Sequence, residues 1–198
     1  MIRTVAIQKK GIFVDGKIKF FPSQSEQFLN DYYLMLEINY PKFYKMDPLA
    51  KLGILAQEAM VKDHNPFDGI EDDSLSLIFS NRSSSFDSDE KFMYSYSTLK
   101  SPSPSLFVYT LPNIMMGELC IKNKWYGENT FFIRPKIDFS FLLEQAKIQF
   151  EKGAKHCLCA WIEFKNNQVD CFMFYLDKGK NIENYKDFLN LQYKLATQ

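Results

Sequence analysis

Cysteine and histidine are the residue types in this sequence that could act as nucleophile, general base or metal ligand. The chain has four cysteines and two histidines: Cys120, Cys157, Cys159, Cys171, His64 and His156. All four cysteines lie in apolar runs, which is typical of buried free thiols in a reducing compartment. Zinc would need cysteines at CxxC-like spacing with a histidine nearby. Cys157 and Cys159 lie two positions apart in a predicted strand, with His156 on the opposite face, so we expect no metal and no cofactor.

The bulk composition limits the classes of protein to consider. A chain of 198 residues suits a single domain, and 46% hydrophobic and 16% aromatic residues supply ample core material. Its 24 basic and 24 acidic residues balance, so nucleic acid is not an expected partner. The N-terminus has no apolar run typical of a signal peptide, and no segment approaches the roughly 18 apolar residues of a membrane span. We expect a cytoplasmic protein without a membrane span.

The N-terminal half predicts strands, then a helix, then another strand. "TVAIQ" and "GIFVDGKIKFF" predict strands, with a tight turn at Asp15-Gly16. "MDPLAKLGILAQEAMVKD" predicts a helix, capped by Asp47 and with Pro48 at its first position. "DSLSLIFS" predicts a buried strand. The serine-rich stretch up to Asp89 predicts a loop, followed by a short helix in "EKFMYSYSTLK".

The C-terminal half predicts two helices, a strand, a hairpin and a closing helix. A helical run begins at Pro104 and reaches Ile121, and "NTFFI" predicts a short strand. The clearest helix follows, capped by Asp138 and ended by Gly153. "CLCAWIEF" and "QVDCFMFYL" predict a hairpin, and "ENYKDFLNLQYKLA" predicts a helix. This order predicts an α/β fold, with helices packed on a mixed, mostly parallel sheet that has an antiparallel edge.

Four segments resemble β-ketoacyl synthases (3-oxoacyl-ACP synthases) of the thiolase-like superfamily. "YKMDPLAKLGILAQEAM" resembles the segment where an Arg-Met-Asp-like start opens a helix, and "SPSLFVYTLPNIMMGELCIK" is similar to the Ser-Pro…Leu-Pro-Asn…Gly helix. "WYGENTFFI" resembles the strand that delivers the nucleophile, and "LLEQAKIQFEKGAKHCLCAWIEF" resembles the helix and strand after it. The resemblance implies half of a thiolase-like fold, with residues 1–198 as one domain like the family's N-terminal half.

The resemblance also implies that the reactive cysteine is missing. Counting forward from Gly127 and back from Gly153 places Lys136 at its position, within "RPKID". A thiolate is stabilised at a helix N-terminus, whereas an ammonium there is disfavoured by roughly 0.3–1 kcal/mol. Pro135 also lacks the backbone N–H of the family. We expect Lys136 to be a surface lysine and the chain to have no catalytic residue.

Two further departures from the family concern histidine and a turn. The family's catalytic histidines come from its C-terminal half, and neither His64 nor His156 lies in a matching motif. We therefore expect His64 in a loop and His156 as an ordinary polar position before a strand. Asn81-Arg82-Ser83-Ser84 replaces the glycine-rich turn that follows the family's corresponding strand.

By resemblance, the chain is a non-catalytic, chain-length-factor-like accessory protein of a polyketide, aryl-polyene or fatty-acid-type pathway. Its implied partners are a full-length ketosynthase and an acidic acyl carrier protein, for which Arg134 and Lys136 could provide basic docking residues. A homodimer is a further expectation, sharing the face of the helices in 103–121 and 138–152, because a lone half would leave an apolar face exposed. Two alternatives stay open: an acyl-chain-binding protein, and an enzyme with altered chemistry at Lys136 or Asp138.

Overall fold

The fold is built on one seven-stranded sheet with helices on both faces. The computed structural model describes residues 2–21, 27–179, 182 and 184–197. The strands are β1 (Arg3–Gln8), β2 (Gly11–Val14), β3 (Lys17–Phe20), β4 (Leu75–Asn81), β5 (Asn129–Ile133), β6 (His156–Lys165) and β7 (Gln168–Asp177). The helices are α1 (Phe28–Met35), α2 (Pro48–Val61), α3 (Phe86–Ser97), α4 (Pro104–Val108), α5 (Ile114–Asn123), α6 (Phe139–Glu151) and α7 (Tyr185–Thr197), with a 3-10 helix at Pro41–Lys45.

The sheet is mixed, with the strand order β3-β2-β1-β7-β6-β4-β5. This confirms the predicted α/β fold with packed helices, but the balance of strand directions differs from the prediction. Among the described strands, only β4 pairs in parallel, with β5 on one side and β6 on the other, while the remaining four pairs are antiparallel. Three of these pairs are antiparallel because β1–β3 form a meander and β6–β7 a hairpin, in which directly connected neighbours run antiparallel, and the fourth joins β1 to the distant β7.

Tight turns of the same kind close two of the hairpins. Asp15 and Gly16 have φ of 51° and 75° between β2 and β3, and Asn166 and Asn167 have φ of 50° and 59° between β6 and β7. Two successive residues with positive φ form the turn whose twist matches that of a hairpin, and Asp, Asn and Gly tolerate that conformation best. Both turns lie where the sequence predicts them.

Each face of the sheet has its own hydrophobic core. One core packs α1, α2 and α5 against side chains of the sheet, and the other packs α6 and α7 against the opposite face. Gly53 of α2 allows α5 to come close, because a Cβ atom there would lie 2.7 Å from the Met115 side chain. An ion pair between Lys122 and Glu58 joins the same two helices.

The region between β4 and β5 is more helical than predicted. Helix α3 begins at Phe86, inside the stretch predicted as a loop, with Asp87 and Asp89 in its first turn, where negative charge is favoured. Three serines of this region, Ser85, Ser88 and Ser95, are buried, and their hydroxyls donate to the Thr110 carbonyl, Asp47 and the Phe92 carbonyl. The predicted helical run from Pro104 to Ile121 is divided into α4 and α5, with Pro112 in the turn between them.

The structure contradicts the predicted shared face of the helices in 103–121 and 138–152. Helix α5 packs with α2 on one side of the sheet, whereas α6 packs on the other. The outward side of α6 also carries exposed polar residues, namely Ser140, Glu144, Lys147 and Glu151. The exposed side of α6 is therefore largely polar, with Ile148 as its exposed apolar residue.

Within the residues described, no helix is both long enough and apolar enough to cross a membrane. The predicted closing helix is observed as α7, although its predicted first residue, Glu183, lies outside the described residues.

Asp47 joins two helices through one carboxylate. Its Oδ1 accepts from the Ala50 N–H, 2.9 Å away, at the start of α2, and its Oδ2 accepts from the Ser88 hydroxyl of α3 at 2.8 Å. Burial raises the pKa of Asp47 above its usual value. We expect Asp47→Ala to lower the free energy of unfolding by about 1–2 kcal/mol, because it removes the cap and leaves the Ser88 hydroxyl unpaired.

Urea denaturation monitored by circular dichroism measures this effect, and Asp47→Asn is the matched control. Asparagine keeps an acceptor for the Ala50 N–H and carries no buried charge. Asp47→Asn should therefore lower the free energy of unfolding much less than Asp47→Ala does. Equal losses for the two variants would contradict the assignment of Asp47 as a cap.

His156 is held at the start of β6 by a hydrogen bond with Tyr175. The Nδ1 atom lies 2.6 Å from the Tyr175 hydroxyl, and Asp177 is 3.6 Å away. Burial lowers the pKa of His156, aided by Lys155, while Asp177 and Glu71 oppose the shift. The folded state thus binds fewer protons at this site than the unfolded state, so stability rises with pH. The contribution is complete above the usual histidine pKa of 6.5 and is lost as the pH falls below it.

We expect the free energy of unfolding to decrease as the pH falls through this window, and to decrease less in His156→Gln, which has no titrating ring. Urea titrations at a series of pH values, with the variant's profile subtracted from that of the wild type, isolate the contribution. Parallel profiles for the two proteins would show that His156 does not titrate differently in the folded state.

Candidate functional site

The parallel strands β4, β5 and β6 end at the same edge of the sheet, and a cleft of about 380 Å³ opens there. In sheets of this kind, the loops that follow the carboxyl ends of parallel strands commonly form the binding site. The cleft is lined by the turn after β4, the turn after β5, the β6–β7 hairpin and Tyr193 of α7. It is the candidate functional site of the chain.

Lys136 lies in the turn between β5 and α6, where the sequence predicts it, and it lines the cleft. Its side chain is exposed and has no hydrogen-bond or ion-pair partner among the described residues. Pro135 precedes it, and Asp138 caps α6 by accepting from the Phe141 N–H at 3.1 Å. The turn therefore presents an amine where the helix begins, and a carboxylate already occupies one of the free helix amides.

Arg134 is not a free docking residue, contrary to the expectation that it could receive a carrier protein. Its Nη2 atom lies 3.1 Å from the Asp138 carboxylate, and its guanidinium carbon lies 4.2 Å from the centre of the Phe141 ring. These contacts fix Arg134 against the start of α6. Lys136 is the member of the predicted pair that stays available.

The turn after β4 is built by side chains in place of glycines. Asn81 donates to the Ser84 carbonyl at 2.8 Å and accepts from the Ser84 N–H at 2.9 Å, which closes the turn around Ser84 at a φ of 54°. Glu163 of β6 accepts from the backbone N–H groups of Arg82 and Ser83, at 2.7 and 3.2 Å. The turn is thus tied to β6, and the Arg82 side chain remains exposed at the cleft.

Two carboxylates form the floor of the cleft. Glu163 and Asp170 lie directly opposite each other on β6 and β7. Side chains opposite each other in an antiparallel pair are only about 5 Å apart at Cβ, and like charges there repel. Asp170 is stabilised by donors: Gln8 at 2.7 Å, Trp161 at 3.0 Å and the Tyr193 hydroxyl at 2.8 Å.

The second oxygen of Glu163 has no such support. The side chain is only 9% exposed, and its Oε1 atom is buried without a hydrogen-bond partner among the described residues. Burying an unpaired carboxylate oxygen is costly unless a donor from a ligand or water reaches it. The floor of the cleft therefore offers an unused acceptor.

The cysteines and histidines lie away from this cleft, whose lining includes neither residue type. Burial raises the pKa of Cys120, and it raises that of Cys157 to about 12. Cys159 and Cys171 are fully buried, and their pKa values are also raised by burial. None of these environments favours a thiolate.

His64 is exposed in the loop after α2, as predicted. His156 is half-buried at the opposite end of β6 from Glu163, roughly 20–25 Å away along the strand. Within the described ranges, no three His, Cys, Asp or Glu side chains come together as metal ligands would.

Sequence reasoning identified Lys136 in this cleft but missed Glu163, Asp170 and Tyr193. A signal for the first two is present, because each is a carboxylate within an otherwise apolar strand. Tyr193 could not be found in this way, since it reaches the cleft through the packing of α7.

Comparison with known proteins identifies the fold, not the family. No protein-family model matches the chain, and no curated protein matches it by sequence. Among solved structures, a chain in the complex of the ketosynthase ApeO with its chain length factor ApeC from Xenorhabdus doucetiae matches the whole chain, with a TM-score of 0.63 and 10% identity. The match covers 90% of that chain.

Two further structures match with similar scores. The ishigamide ketosynthase/chain length factor matches 89% of this chain with a TM-score of 0.66 and 14% identity. A type II polyketide synthase acyl-carrier protein in complex with its ketosynthase, bound to the hexaketide, matches 90% with a TM-score of 0.60 and 13% identity. This chain spans only 61% and 63% of the length of those two. At these identities the likeness shows the fold alone: the chain has the α/β fold of ketosynthases and chain length factors.

Proposed function

We propose that this chain is a non-catalytic, chain-length-factor-like member of a ketosynthase system, built as one domain like the N-terminal half of those enzymes. The observation that carries the proposal is the turn between β5 and α6, where Lys136 is exposed at the position that the resemblance assigns to the reactive cysteine. The cleft beside this turn has no thiol and no imidazole in its lining. A chain with this fold and this turn would act through the proteins that it binds.

Lys136 is poorly suited to replace the missing nucleophile. A lysine attacks only as the neutral amine, which requires a desolvating pocket or a neighbouring cation. The Lys136 side chain is exposed to water instead. Asp138, the other candidate for altered chemistry, is occupied by the Phe141 N–H and Arg134. The cleft lining mixes charged and amide side chains with the apolar Pro135, Ile137, Trp161 and Val169, so it is not the uniformly apolar pocket that an acyl chain prefers.

The open edge of β5 is a surface on which a partner could dock. Leu77 N–H donates to the Glu128 carbonyl, and Arg134 N–H donates to the Asn81 carbonyl, so the even-numbered residues of this stretch bond to β4. The N–H and C=O groups of Asn129, Phe131 and Ile133 therefore point away from the sheet. The strand contains no charge and no proline, the features that commonly protect edges from pairing.

A second surface lies on α3 and α4, which we call the α3–α4 surface. It consists of apolar side chains that are 47–60% exposed: Met93, Tyr94, Tyr96, Leu99, Phe107, Val108 and Leu111. A groove lined by Tyr94, Leu99 and Leu106 runs between the two helices. Monomeric proteins rarely expose so many large apolar side chains together, and such patches usually mark interfaces.

We assign these two surfaces to a full-length ketosynthase. Two of the structural relatives are described as a ketosynthase with a chain length factor, and the third as a ketosynthase with an acyl-carrier protein. Lys136 would be the basic contact for an acidic carrier in the same assembly. The pathway would be of the polyketide, aryl-polyene or fatty-acid type, and a homodimer through the same surfaces is the competing assembly.

We expect the chain to form a stable complex with the ketosynthase encoded beside it, detectable by size-exclusion chromatography with light scattering. Asn129→Pro should weaken that complex about tenfold, because it removes one outward N–H and places the proline ring at the edge. Asn129→Ala is the matched control, since it also removes the exposed side chain but keeps the N–H.

The outcome separates the two assemblies. A dimer of this chain alone, weakened by the same proline, would favour self-association over the ketosynthase. If the chain remains a monomer beside every ketosynthase of its genome, the proposed accessory role is wrong.

We expect no acyl transfer to this chain from malonyl- or acyl-carrier thioesters, because three of its thiols are buried and burial raises the pKa of all four. Iodoacetamide should label the native protein slowly and Cys120 first, since Cys120 is the one cysteine that is not fully buried. Intact mass spectrometry measures both reactions, and urea-unfolded protein provides the fully labelled control. A covalent acyl adduct on the native chain would establish an enzyme instead.

A further inference from the structure

The cleft at the carboxyl ends of β4, β5 and β6 combines two features of which the proposed accessory role uses only Lys136. Its rim carries three cations, Arg82, Lys136 and Lys165, and its floor carries the carboxylates of Glu163 and Asp170. The cations and carboxylates do not neutralise each other by direct pairing. Arg82 and Lys136 have no side-chain partner among the described residues, and the Lys165 ammonium lies 4.0 Å from the centre of the Phe86 ring.

The rim favours an anion. Three positive charges on separate elements face one cleft, and a guanidinium can bind a phosphate or carboxylate through two parallel hydrogen bonds. The carboxylates of the floor alone would repel an anion, but hydrogen-bond donors of the chain already stabilise part of their negative charge. Backbone N–H groups donate to one oxygen of Glu163, and three side chains donate to Asp170.

The floor favours a hydrogen-bond donor. The Oε1 atom of Glu163 is buried without a partner in the described part of the chain, although the side chain lines the cleft. The other oxygen is held by Arg82 and Ser83, so the carboxylate cannot turn to pair Oε1 without breaking those bonds. A ligand hydroxyl at this position would satisfy the buried acceptor.

We propose that this cleft binds a small hydroxylated anion, with its phosphate or carboxylate at Arg82, Lys136 and Lys165 and a neighbouring hydroxyl donated to Glu163. The volume of about 380 Å³ suits a metabolite-sized ligand. The site goes beyond the accessory role and shares only Lys136 with it, since none of its residues lies on the β5 edge or the α3–α4 surface. A hydroxylated phosphate ester and a hydroxy acid share this chemistry.

The test is isothermal titration calorimetry at low ionic strength, at an alkaline pH where phosphate monoesters carry no proton to donate. Glycerol 3-phosphate and glycerate are the hydroxylated probes. Methyl phosphate and propanoate are the matched anions without a hydroxyl, and glycerol is the hydroxylated compound without an anion. We expect one or both hydroxylated anions to bind about tenfold more tightly than their matched anions, and glycerol not to bind. The probe that binds more tightly then shows whether the ligand class is a phosphate ester or a hydroxy acid.

Variants separate the two halves of the site. Arg82→Ala should weaken both hydroxylated and plain anions about tenfold, because it removes a charge-assisted contact. Glu163→Gln should weaken the hydroxylated anions alone, since it replaces the acceptor with a donor. Lys147→Ala, which removes an exposed cation of α6 outside the cleft, should change neither.

Arg82 and Lys136 are exposed and unpaired, so their alanine variants should fold even if Glu163→Gln disturbs the turn after β4. Circular dichroism melting of each variant checks this. The proposal is overturned if no anion binds, if Arg82→Ala and Lys136→Ala bind as the wild type does, or if plain anions bind as tightly as hydroxylated ones.

Discussion

Strand β4 is buried at every position from Leu75 to Asn81, and the rest of the structure depends on that constraint. A fully buried strand needs hydrogen-bonding neighbours on both edges and apolar cover on both faces. β5 and β6 provide the edges in parallel, while the two cores provide the faces. Because all three strands run in the same direction, the turns that follow β4 and β5 and the hairpin that follows β6 meet in one cleft.

The same constraint explains which parts of the fold could be predicted from sequence. Asp47 with Pro48, Asp138 with Gly153, and the two positive-φ turns are local signals, and the structure has a helix end or a turn at each of them. The pairing of distant strands is not local. The antiparallel pairs within the β1–β3 meander and the β6–β7 hairpin follow from their turns, whereas the pairing of β1 with β7 depends on packing between distant segments and could not be predicted from the order of helices and strands.

The serine-rich stretch before Asp89 shows a second limit. Its composition is typical of a loop, because Ser, Asp and Asn compete for backbone hydrogen bonds. In the structure, tertiary partners overcome that preference: Ser88 bonds to Asp47, and the Ser85 hydroxyl donates to the Thr110 carbonyl at 2.6 Å. The candidate site was predictable at Lys136 and at the turn containing Arg82, since the turns that follow β4 and β5 are local features. Glu163 and Asp170 become neighbours through strand register, and Tyr193 joins them through helix packing.

The distribution of polar and apolar surface favours a partner at the edge of the sheet over one above it. The exposed side of α6 is largely polar, and α7 packs beside it, so this face exposes fewer large apolar side chains than the α3–α4 surface, namely Ile148, Leu191 and Leu195. By contrast, β5 leaves three N–H groups and three C=O groups unpaired, and the α3–α4 surface leaves large apolar side chains exposed. The free energy is lowered when another chain pairs with unpaired backbone groups or covers apolar surface. A partner that added a strand to β5 would lie at the side of the cleft and would leave its rim open, so partner binding and ligand binding could occur together.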